Sequence, residues 1–332
     1  MKQTAIAPAN IAFLKYWGKK DERLNLPWTD TISMTMDRCT TKTTVSFDSS
    51  YKEDTLSVSF YNQQKSEVRD QKKKQKVFDL ISRIRTMAGI SSHARIVSEN
   101  SFPSDAGIAA SASAFAALTV AGAAAAGLHL TERKLTLLAR LGSGSACRSI
   151  PDGFVIWEKG VSHETSYAKS LYPPSYWDLF DLVAVVDPGK KAFSSTEGHE
   201  YAPTSEFFKE RMKHLPKRVS LLKEALKKKD FELLGTLIEE EAKSMHAIAL
   251  SSQPPIVYWN DGTKQIISCL LELRKTHLLG YYTMDAGPNV HIICQQKDAA
   301  TITKYIEQLD QVQMVLTNRP CEGARLIEEH LF

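Results

Sequence analysis

Asp285 occupies a position where a general base could act. It lies in the segment TMDAGPN (283–289), between an apolar stretch and a Gly-Pro turn. A carboxylate at the end of a strand, among hydrophobic neighbours, can accept a proton from a hydroxyl group. The alternative is an aspartate that stabilises the turn, which is the more common role for such a segment taken alone. Asp285 is therefore a candidate catalytic acid or base.

Two further segments carry cations close to small or aromatic residues. KYWGKKD (15–21) places Lys15 and Lys19 on either side of Tyr16, so that two ammonium groups and a phenol can converge on an anion. GSGSACRS (142–149) combines glycines and hydroxyl groups with Arg148, whose guanidinium can hold a carboxylate or phosphate through two hydrogen bonds. Surface lysines and a Ser/Gly turn with a surface arginine are the alternatives.

A fourth segment, PSDAGIAAS (103–111), opens a long stretch of small residues. Glycine and alanine let the backbone approach a ligand closely, and free N–H groups at the start of a helix attract anions. The alternative is a Gly/Ala turn that packs a helix against a sheet. The Walker sequence of P-loop nucleotide-binding proteins is absent from the chain, which disfavours that fold.

The elements that must position these residues are strands and helices mixed without regular βαβ alternation. Apolar/polar alternation predicts half-buried antiparallel strands, and three- and four-residue spacing predicts helices. The predicted strands are 44–50, 55–62, 93–100, 181–187 and a strand–turn–strand unit at 280–296. The predicted helices are 77–88, 108–130, 131–141, 205–228, 230–250, 263–277 and 299–309, before a final strand and helix. A Pro- and aromatic-rich stretch at 172–176 suggests a lobe boundary, which divides the chain into domains 1–178 and 179–332. The sequence therefore predicts an α+β fold in two lobes.

Composition narrows the class of protein. The 332 residues carry a formal net charge of only +4, with both signs interspersed. This charge suits a small phosphorylated substrate as well as nucleic acid and decides between them in neither direction. We expect a small-molecule substrate and no nucleic-acid partner. The nearly uncharged stretch 108–130 is alanine-rich and predicts a buried helix, not a membrane span. Five scattered cysteines without paired spacing indicate a reducing compartment, and the N-terminus lacks a signal-peptide pattern. We therefore expect a cytoplasmic protein without a membrane segment.

Two features favour a structural interpretation. Residues 65–76, which include QKKKQK, predict a solvated loop that opens the helix 77–88, the alternative being a nucleic-acid or membrane patch. His246 has no second histidine at ligand spacing, so a structural histidine is favoured over a metal ligand.

Taken together, the four chemical segments resemble the mevalonate diphosphate decarboxylase family of the GHMP kinase superfamily. APANIAFLKYWGKKDERLNLPWTDTISMTM is similar to the N-terminal signature of the family, and SFPSDAGIAASASAFAAL to its ATP-phosphate loop. GSGSACRSIPDGFVIW, MHAIALSSQPPIVYWND and TMDAGPNV match three further blocks in the family's order. The resemblance implies a ribosomal-protein-S5-like N-terminal lobe, a ferredoxin-like C-terminal lobe and an active site between them. It also implies a homodimer that acts on phosphorylated mevalonate, with ATP and Mg²⁺.

The resemblance assigns roles residue by residue. Asp285 would handle the proton of the 3-hydroxyl group, Lys15 would polarise that hydroxyl, and Arg148 would hold the substrate carboxylate. Substrate binding would involve Tyr16, Lys19, Ser143, Ser145, Asn10 and Ser195. ATP binding would involve Pro103, Ala106, Gly107, Ile108, Ala109, Ala110 and Ser111, with Ser111 also assigned to Mg²⁺.

Three positions depart from the family pattern. Ala110 replaces one of two paired serines, Asp105 replaces a small neutral residue, and Thr196 aligns with an arginine of some bacterial relatives. They leave two alternatives to the diphosphate decarboxylase: a 5-monophosphate decarboxylase and a mevalonate 3-kinase. An alternative of a different class is a non-catalytic homologue that senses a metabolite. The sensor would be expected to lack Asp285 or Lys15, and both are present.

Overall fold

The computed structural model describes residues 1–59, 61, 66–67, 71–103, 108, 110–186 and 193–332, with residues 66–67 described as backbone only. Eight strands of this described chain form a first sheet: β1 (Lys2–Ala12), β2 (Thr31–Asp48), β3 (Thr55–Ser59), β4 (Ser66–Glu67), β5 (His93–Asn100), β6 (Phe154–Trp157), β7 (Ala168–Tyr172) and β12 (Arg325–Ile327). The order is β12-β1-β2-β5-β3-β4, and β6 pairs with both β2 and β7. The length of β2 lets one strand pair with β5 at one end and β6 at the other.

Three helices cover one face of this sheet with apolar side chains. They are α1 (Gln71–Ala88), α2 (Ala110–Ala125) and α3 (Glu132–Gly142). Alanines of α2 pack with Ala5, Ala7 and Val45 of the sheet in one buried cluster. Because alanine side chains are short, α2 can approach β1 and β2 closely. A 3₁₀ helix, Gly144–Ser149, follows α3 directly.

A second sheet, antiparallel throughout, has the order β11-β8-β10-β9. Its strands are β8 (Leu179–Val185), β9 (Gly280–Thr283), β10 (Val290–Gln295) and β11 (Met314–Asn318). The helices of this part are α4 (Ser195–Tyr201), α5 (Phe208–Lys228), α6 (Phe231–Leu250), α7 (Asp261–Lys275) and α8 (Gln296–Glu307).

Alternation along β8 divides the second sheet between two cores. Phe180, Leu182 and Ala184 belong to the cluster that contains α7 and α8 side chains. Val183 and Val185 belong to the cluster that contains α5 and α6 side chains and also reaches β2 and β6 of the first sheet. Successive strand residues point to opposite faces, so the second sheet carries α7 and α8 on one side, and α5, α6 and the contact with the first lobe on the other. The predicted two-lobed α+β fold is confirmed.

Several predicted elements have different bounds. The segment QKKKQK forms the start of α1, so the helix begins at Gln71 and not at residue 77. Within the predicted strand 55–62, β3 pairs antiparallel with β4, as predicted, but parallel with β5. The helix α4 was not predicted, although Ser194 and Glu197 form the capping box that its sequence carries.

The C-terminal end of the chain also differs from expectation. After β11, the described residues 319–332 contain β12 and no helix, whereas the sequence pattern predicted a final helix. β12 pairs antiparallel with β1, so the end of the chain returns from the second lobe to the first sheet. The division into domains 1–178 and 179–332 stays a prediction. Residues 325–327, which belong to the second range, pair with β1, which belongs to the first.

Candidate active site

A cleft of about 900 Å³ lies between the two lobes. Its walls include the turn after β1, the start of α2, the 3₁₀ helix 144–149 and the first turns of α4, together with the loop between β9 and β10. The first three belong to the N-terminal part of the chain and the last two to the C-terminal part. Residues that are more than 200 positions apart in sequence therefore face the same space.

Lys15 and Asp285 form an ion pair that spans the two lobes. Lys15 Nζ lies 2.7 Å from Asp285 Oδ1. The side chain of Lys15 is 1% exposed and that of Asp285 is 24% exposed, so the pair has one desolvated partner and one that opens to the cleft. An oxygen of Asp285 is thus placed where it can contact a bound molecule.

Burial and charge act in opposite directions on the Lys15 ammonium. Burial lowers the pKa of Lys15 below its ordinary value of 10.5, while Asp285 and Glu241 raise it. For the carboxylate, burial alone would raise the pKa of Asp285, but Lys15, His291 and Arg148 lower it below 3.8. At 2.7 Å each partner favours the charged form of the other, the ammonium of Lys15 and the carboxylate of Asp285.

Arg148 is buried at the base of the cleft and held by two neutral side chains. Its Nε donates to Asn10 Oδ1 at 3.1 Å and one Nη donates to Thr31 Oγ1 at 3.0 Å. Its guanidinium also lies over the ring of Trp157, 5.9 Å from the ring centroid. Because Asn10 and Thr31 are uncharged, they orient the guanidinium without neutralising it, and its charge stays available for an anion in the cleft.

Tyr16 is packed tightly against the same wall. Its ring lies 4.7 Å from Trp157 and 4.3 Å from His199, centroid to centroid. A Cβ at Gly144 would lie 2.5 Å from Tyr16 Cε1, so this position needs glycine for the ring to fit. Burial, with a smaller contribution from Glu22, raises the pKa of Tyr16 well above 10, and its phenol stays protonated as a hydrogen-bond donor.

A group of hydroxyls lies where α2 begins. Ser143 Oγ is 3.4 Å from both Ser111 Oγ and Ser145 Oγ, and all three residues line the cleft. Ser111 is exposed in the first turn of α2, close to the positive end of the helix dipole. The arrangement offers donors to the oxygens of a phosphate.

The other predicted site residues fall into three groups. Lys19, Ser195, Ile108 and Ala110 line the cleft, as does Thr196, and Lys19 Nζ is 2.8 Å from Glu22 Oε2. Two of the predicted site residues are described but do not line the cleft, namely Asn10 and Pro103. Asn10 is buried behind Arg148. Asp105, Ala106, Gly107 and Ala109 lie outside the described residues.

Sequence reasoning missed several residues that face or support the cleft. Lys73 and Lys76, assigned to a solvated loop, lie on α1 and line the cleft. His199 lines it from α4, and burial, with Lys19 contributing, lowers its pKa to about 3, so its imidazole is neutral. Glu241 accepts a hydrogen bond from the backbone N–H of Lys15. Only for Glu241 did a signal exist: it continues the apolar spacing of 234, 238 and 245 on α6.

Fold and site together define a class. Two α+β lobes, a small-residue helix that begins at the cleft, and a lysine–aspartate pair across it are the arrangement of a GHMP-type enzyme. The chain belongs to the mevalonate diphosphate decarboxylase family. Residues 7–168 match the family described as a diphosphomevalonate decarboxylase-like N-terminal domain, and residues 181–325 match the mevalonate 5-diphosphate decarboxylase C-terminal domain.

Curated relatives and solved structures agree with the family. The diphosphomevalonate decarboxylase of Debaryomyces hansenii is 38% identical over 91% of this chain and 82% of its own length, and that of Saccharomyces cerevisiae is 37% identical over 91% and 80%. The solved mevalonate diphosphate decarboxylase of Staphylococcus aureus superposes with a TM-score of 0.90 at 36% identity and 98% coverage of both chains. The solved complex of MDDEF with MVAPP, AMPPCP and magnesium gives a TM-score of 0.90 at 35% identity and 99% coverage of both.

Proposed function

We propose that this chain catalyses the ATP-dependent decarboxylation of mevalonate 5-diphosphate to isopentenyl diphosphate, with release of ADP, phosphate and CO₂. The observation that carries the proposal is the Lys15–Asp285 pair at 2.7 Å, on a cleft that Arg148 also lines. The curated relatives that match this chain over most of their length are named diphosphomevalonate decarboxylases, and this supports the assignment.

The first half of the reaction is phosphoryl transfer to the tertiary 3-hydroxyl. The hydroxyl oxygen bonds to the γ-phosphorus, the bond to ADP breaks, and the hydroxyl proton goes to an Asp285 oxygen. Asp285 suits this role because Lys15, His291 and Arg148 lower its pKa and keep it ionised. The Lys15 ammonium orients the carboxylate and offsets the negative charge that develops on the transferred group.

The second half removes the carboxylate. The C3–O bond to phosphate breaks, the bond between CO₂ and the adjacent carbon breaks, and its electron pair forms the new double bond. This needs the carboxylate to stay aligned with the leaving group. Arg148 is suited to hold it, since Asn10 and Thr31 fix the guanidinium without neutralising it.

The phosphate groups would bind at the donor-rich ends of the cleft. Tyr16, Lys19, Ser143, Ser145 and Ser195 line the cleft and can donate to the phosphates of the substrate. The start of α2, with Ile108, Ala110 and Ser111, suits the ATP phosphates, and Lys73 and Lys76 add positive charge on α1.

Magnesium fits the same end of the cleft. One relative of this chain is solved with an ATP analogue and magnesium. Within the described ranges, no group of three His, Cys, Asp or Glu is arranged to hold a metal ion. Mg²⁺ commonly takes substrate phosphates, waters and a few protein oxygens as ligands, and the exposed Ser111 hydroxyl would be one of them. When bound, the ion neutralises charge on the β- and γ-phosphates.

The test is ADP and CO₂ release with MgATP and, separately, mevalonate, its 5-phosphate and its 5-diphosphate. Equal ADP and CO₂ from the diphosphate is the expected result. The same result from the monophosphate alone would change the substrate and implicate Asp105 and Thr196. ADP without CO₂ would indicate a 3-kinase. Nucleotide binding with no ADP from any substrate would indicate a sensor and would contradict an enzymatic role.

The finer expectations on assembly and location are also proposals. We propose a homodimer, by analogy with the family, and a cytoplasmic location, from the cysteine pattern. In the part of the chain that the structure describes, every helix is too short or too polar to cross a membrane. Sedimentation equilibrium of the purified chain would test the dimer, and a monomer at micromolar concentration would contradict it.

A further inference from the structure

Glu241 is a buried acid that reaches the active site through the main chain of Lys15. It lies on α6, is fully buried, and its Oε1 accepts a hydrogen bond from the backbone N–H of Lys15 at 3.1 Å. Lys15 stands in the segment after β1, in the N-terminal lobe, whereas α6 belongs to the C-terminal lobe. The contact therefore joins the two lobes beside the Lys15–Asp285 pair.

Two arginines of α5 hold the Glu241 carboxylate in place. Arg211 donates to both carboxylate oxygens and, at 2.8 Å, to Ser244 Oγ. Arg218 donates to Glu241 Oε2 at 2.8 Å. The carboxylate is thus fixed by donors from α5 on one side and presents its remaining lone pair to Lys15 on the other.

The same segment is packed rigidly against these helices. Gly18 has φ +77°, and a Cβ there would lie 2.7 Å from the ring of Phe208, the first residue of α5. Contacts with α5 and α6 therefore fix the position of residues 15–18, so that a shift of α6 would move the Lys15 main chain.

We propose that Glu241 is a positioning residue for the reaction: it fixes the Lys15 main chain across the lobe interface, and its charge supports the Lys15 ammonium. The inference rests on the proposed function for its kinetic consequences. It assigns to the Arg211–Glu241–Arg218 cluster a role beyond stability, namely to set where Lys15 stands relative to Asp285.

The charges that face Lys15 give the proposal a measurable signature. The charged groups are Asp285 from the β9–β10 loop, Glu241 from α6 and Arg148 from the 3₁₀ helix, and the neutral His246 of α6 also lies nearby. Asp285 and Glu241 raise the pKa of Lys15, while burial and Arg148 lower it. Loss of the Glu241 charge should lower the pKa of Lys15 further, so activity that needs the ammonium should decline at a lower pH.

The test compares Glu241→Gln with two neighbours on α6. Glu239 is a matched control because it is also buried, pairs with Arg274 and accepts a backbone N–H, that of Tyr282, at 3.1 Å. Glu240 is the exposed control, 3.8 Å from Arg218. We expect Glu241→Gln to lower kcat by about 100-fold and to move the basic limb of its pH profile to lower pH. Glu239→Gln should lose stability but keep the wild-type limb, and Glu240→Gln should resemble wild type.

A second variant keeps the test valid if Glu241→Gln fails to fold. Glu241→Asp retains the charge but withdraws the carboxylate from the Lys15 N–H, so kcat should fall while the basic limb stays in place. A wild-type kcat in Glu241→Asp would overturn the proposal. The proposal would also be overturned if Glu241→Gln and Glu239→Gln lost the same amount of kcat and had the basic limb of their pH profiles at the same pH.

A readout without turnover separates this inference from the proposed function. The ¹³Cε signal of Lys15, in protein labelled with ¹³C-lysine and assigned with Lys15→Arg, reports the ammonium directly. Its titration midpoint should fall in Glu241→Gln and stay in Glu239→Gln. An inactive wild-type protein with this shift would contradict only the function, whereas an active protein without the shift would contradict only the role of Glu241.

Discussion

At the scale of single residues, the site depends on charged side chains that their neighbours orient without neutralising them. Arg148 is oriented by neutral Asn10 and Thr31, and Asp285 keeps part of its surface open to the cleft. Lys15 is the exception, since it is desolvated and paired. Buried charge of this kind is costly unless partners compensate it, so each of these side chains should show large functional effects on neutralisation.

Asp285→Asn should reduce kcat by about 10² to 10⁴-fold, the range for loss of a positioned acid–base group. The amide fills a similar volume but cannot accept the hydroxyl proton. Steady-state kinetics with the diphosphate would measure the loss, and calorimetric titration would show nucleotide affinity close to wild type.

Asp261→Asn is the matched control, since the side chain of Asp261 is 91% exposed at the start of α7, where it pairs with Lys264. It should leave kcat unchanged. A wild-type rate in Asp285→Asn would remove this carboxylate from the mechanism.

Arg148→Gln should weaken substrate binding and decarboxylation together. A hydrogen bond to a charged group contributes about 1.5–3 kcal/mol, so KM for the diphosphate should rise roughly 10- to 100-fold. CO₂ formed per ADP should also fall, because the carboxylate loses its anchor. The exposed Arg133→Gln on α3 serves as the control, and a surface-like response of Arg148 would contradict its role as the carboxylate ligand.

At the scale of elements, the site is assembled from helix starts and turns whose glycines permit close approach. The 3₁₀ helix 144–149 follows α3 without a linker, and this brings Gly144 against Tyr16 and Arg148 to the base of the cleft. Sequence alone predicted α3 and a turn after it. It did not predict that the turn would be a buried helix, because burial depends on its contacts with α2.

Gly144→Ala should displace the Tyr16 ring. The added Cβ would lie 2.5 Å from Tyr16 Cε1 and 2.9 Å from its hydroxyl oxygen, well inside contact distance. We expect KM for the diphosphate to rise about tenfold or more, since small displacements of binding groups are costly. Steady-state kinetics would measure it.

Gly122→Ala in α2 is the control. Its Cβ would meet the terminal Cδ1 of Ile84, which can move, and alanine favours the helix. Equal KM values for the two variants would show that Tyr16 tolerates the displacement.

At the scale of the whole molecule, buried neutral histidines tie stability to pH. Burial lowers the pKa of both His199 and His246 to about 3, with Lys19 and Lys15 as the next contributions respectively. In the unfolded chain these groups titrate near 6.5. The unfolded state therefore binds more protons between these two values, and stability is complete above pH 6.5 and declines as pH falls towards 3.

The double variant His199→Gln/His246→Gln should flatten this dependence. Each histidine accounts for up to about 3 kcal/mol of lost stability between pH 6.5 and pH 4. Urea unfolding at a series of pH values would measure it. Equal slopes for the variant and the wild-type protein would contradict the assignment, whatever the difference in absolute stability.

Sequence patterns alone determined the class of fold and the principal charges of the site. The spacing of apolar residues predicted α5, α6 and α7, because a helix that buries one face must repeat every three to four residues. The uncharged, alanine-rich composition of 108–130 predicted α2. Asp285, Lys15 and Arg148 could be named because their segments, each a weak signal alone, together resemble the family. This information lies in the order of neighbouring residues along the chain.

The tertiary structure decided what depends on separated residues. Glu241 and Lys15 are 226 positions apart, and Asp285 and Lys15 are 270 apart, so neither contact leaves a local pattern. The return of β12 to the first sheet and the cleft-facing position of Lys73 and Lys76 likewise follow from packing. Sequence spacing defines which side of an element is apolar, but only the packing of two lobes defines which polar groups meet between them.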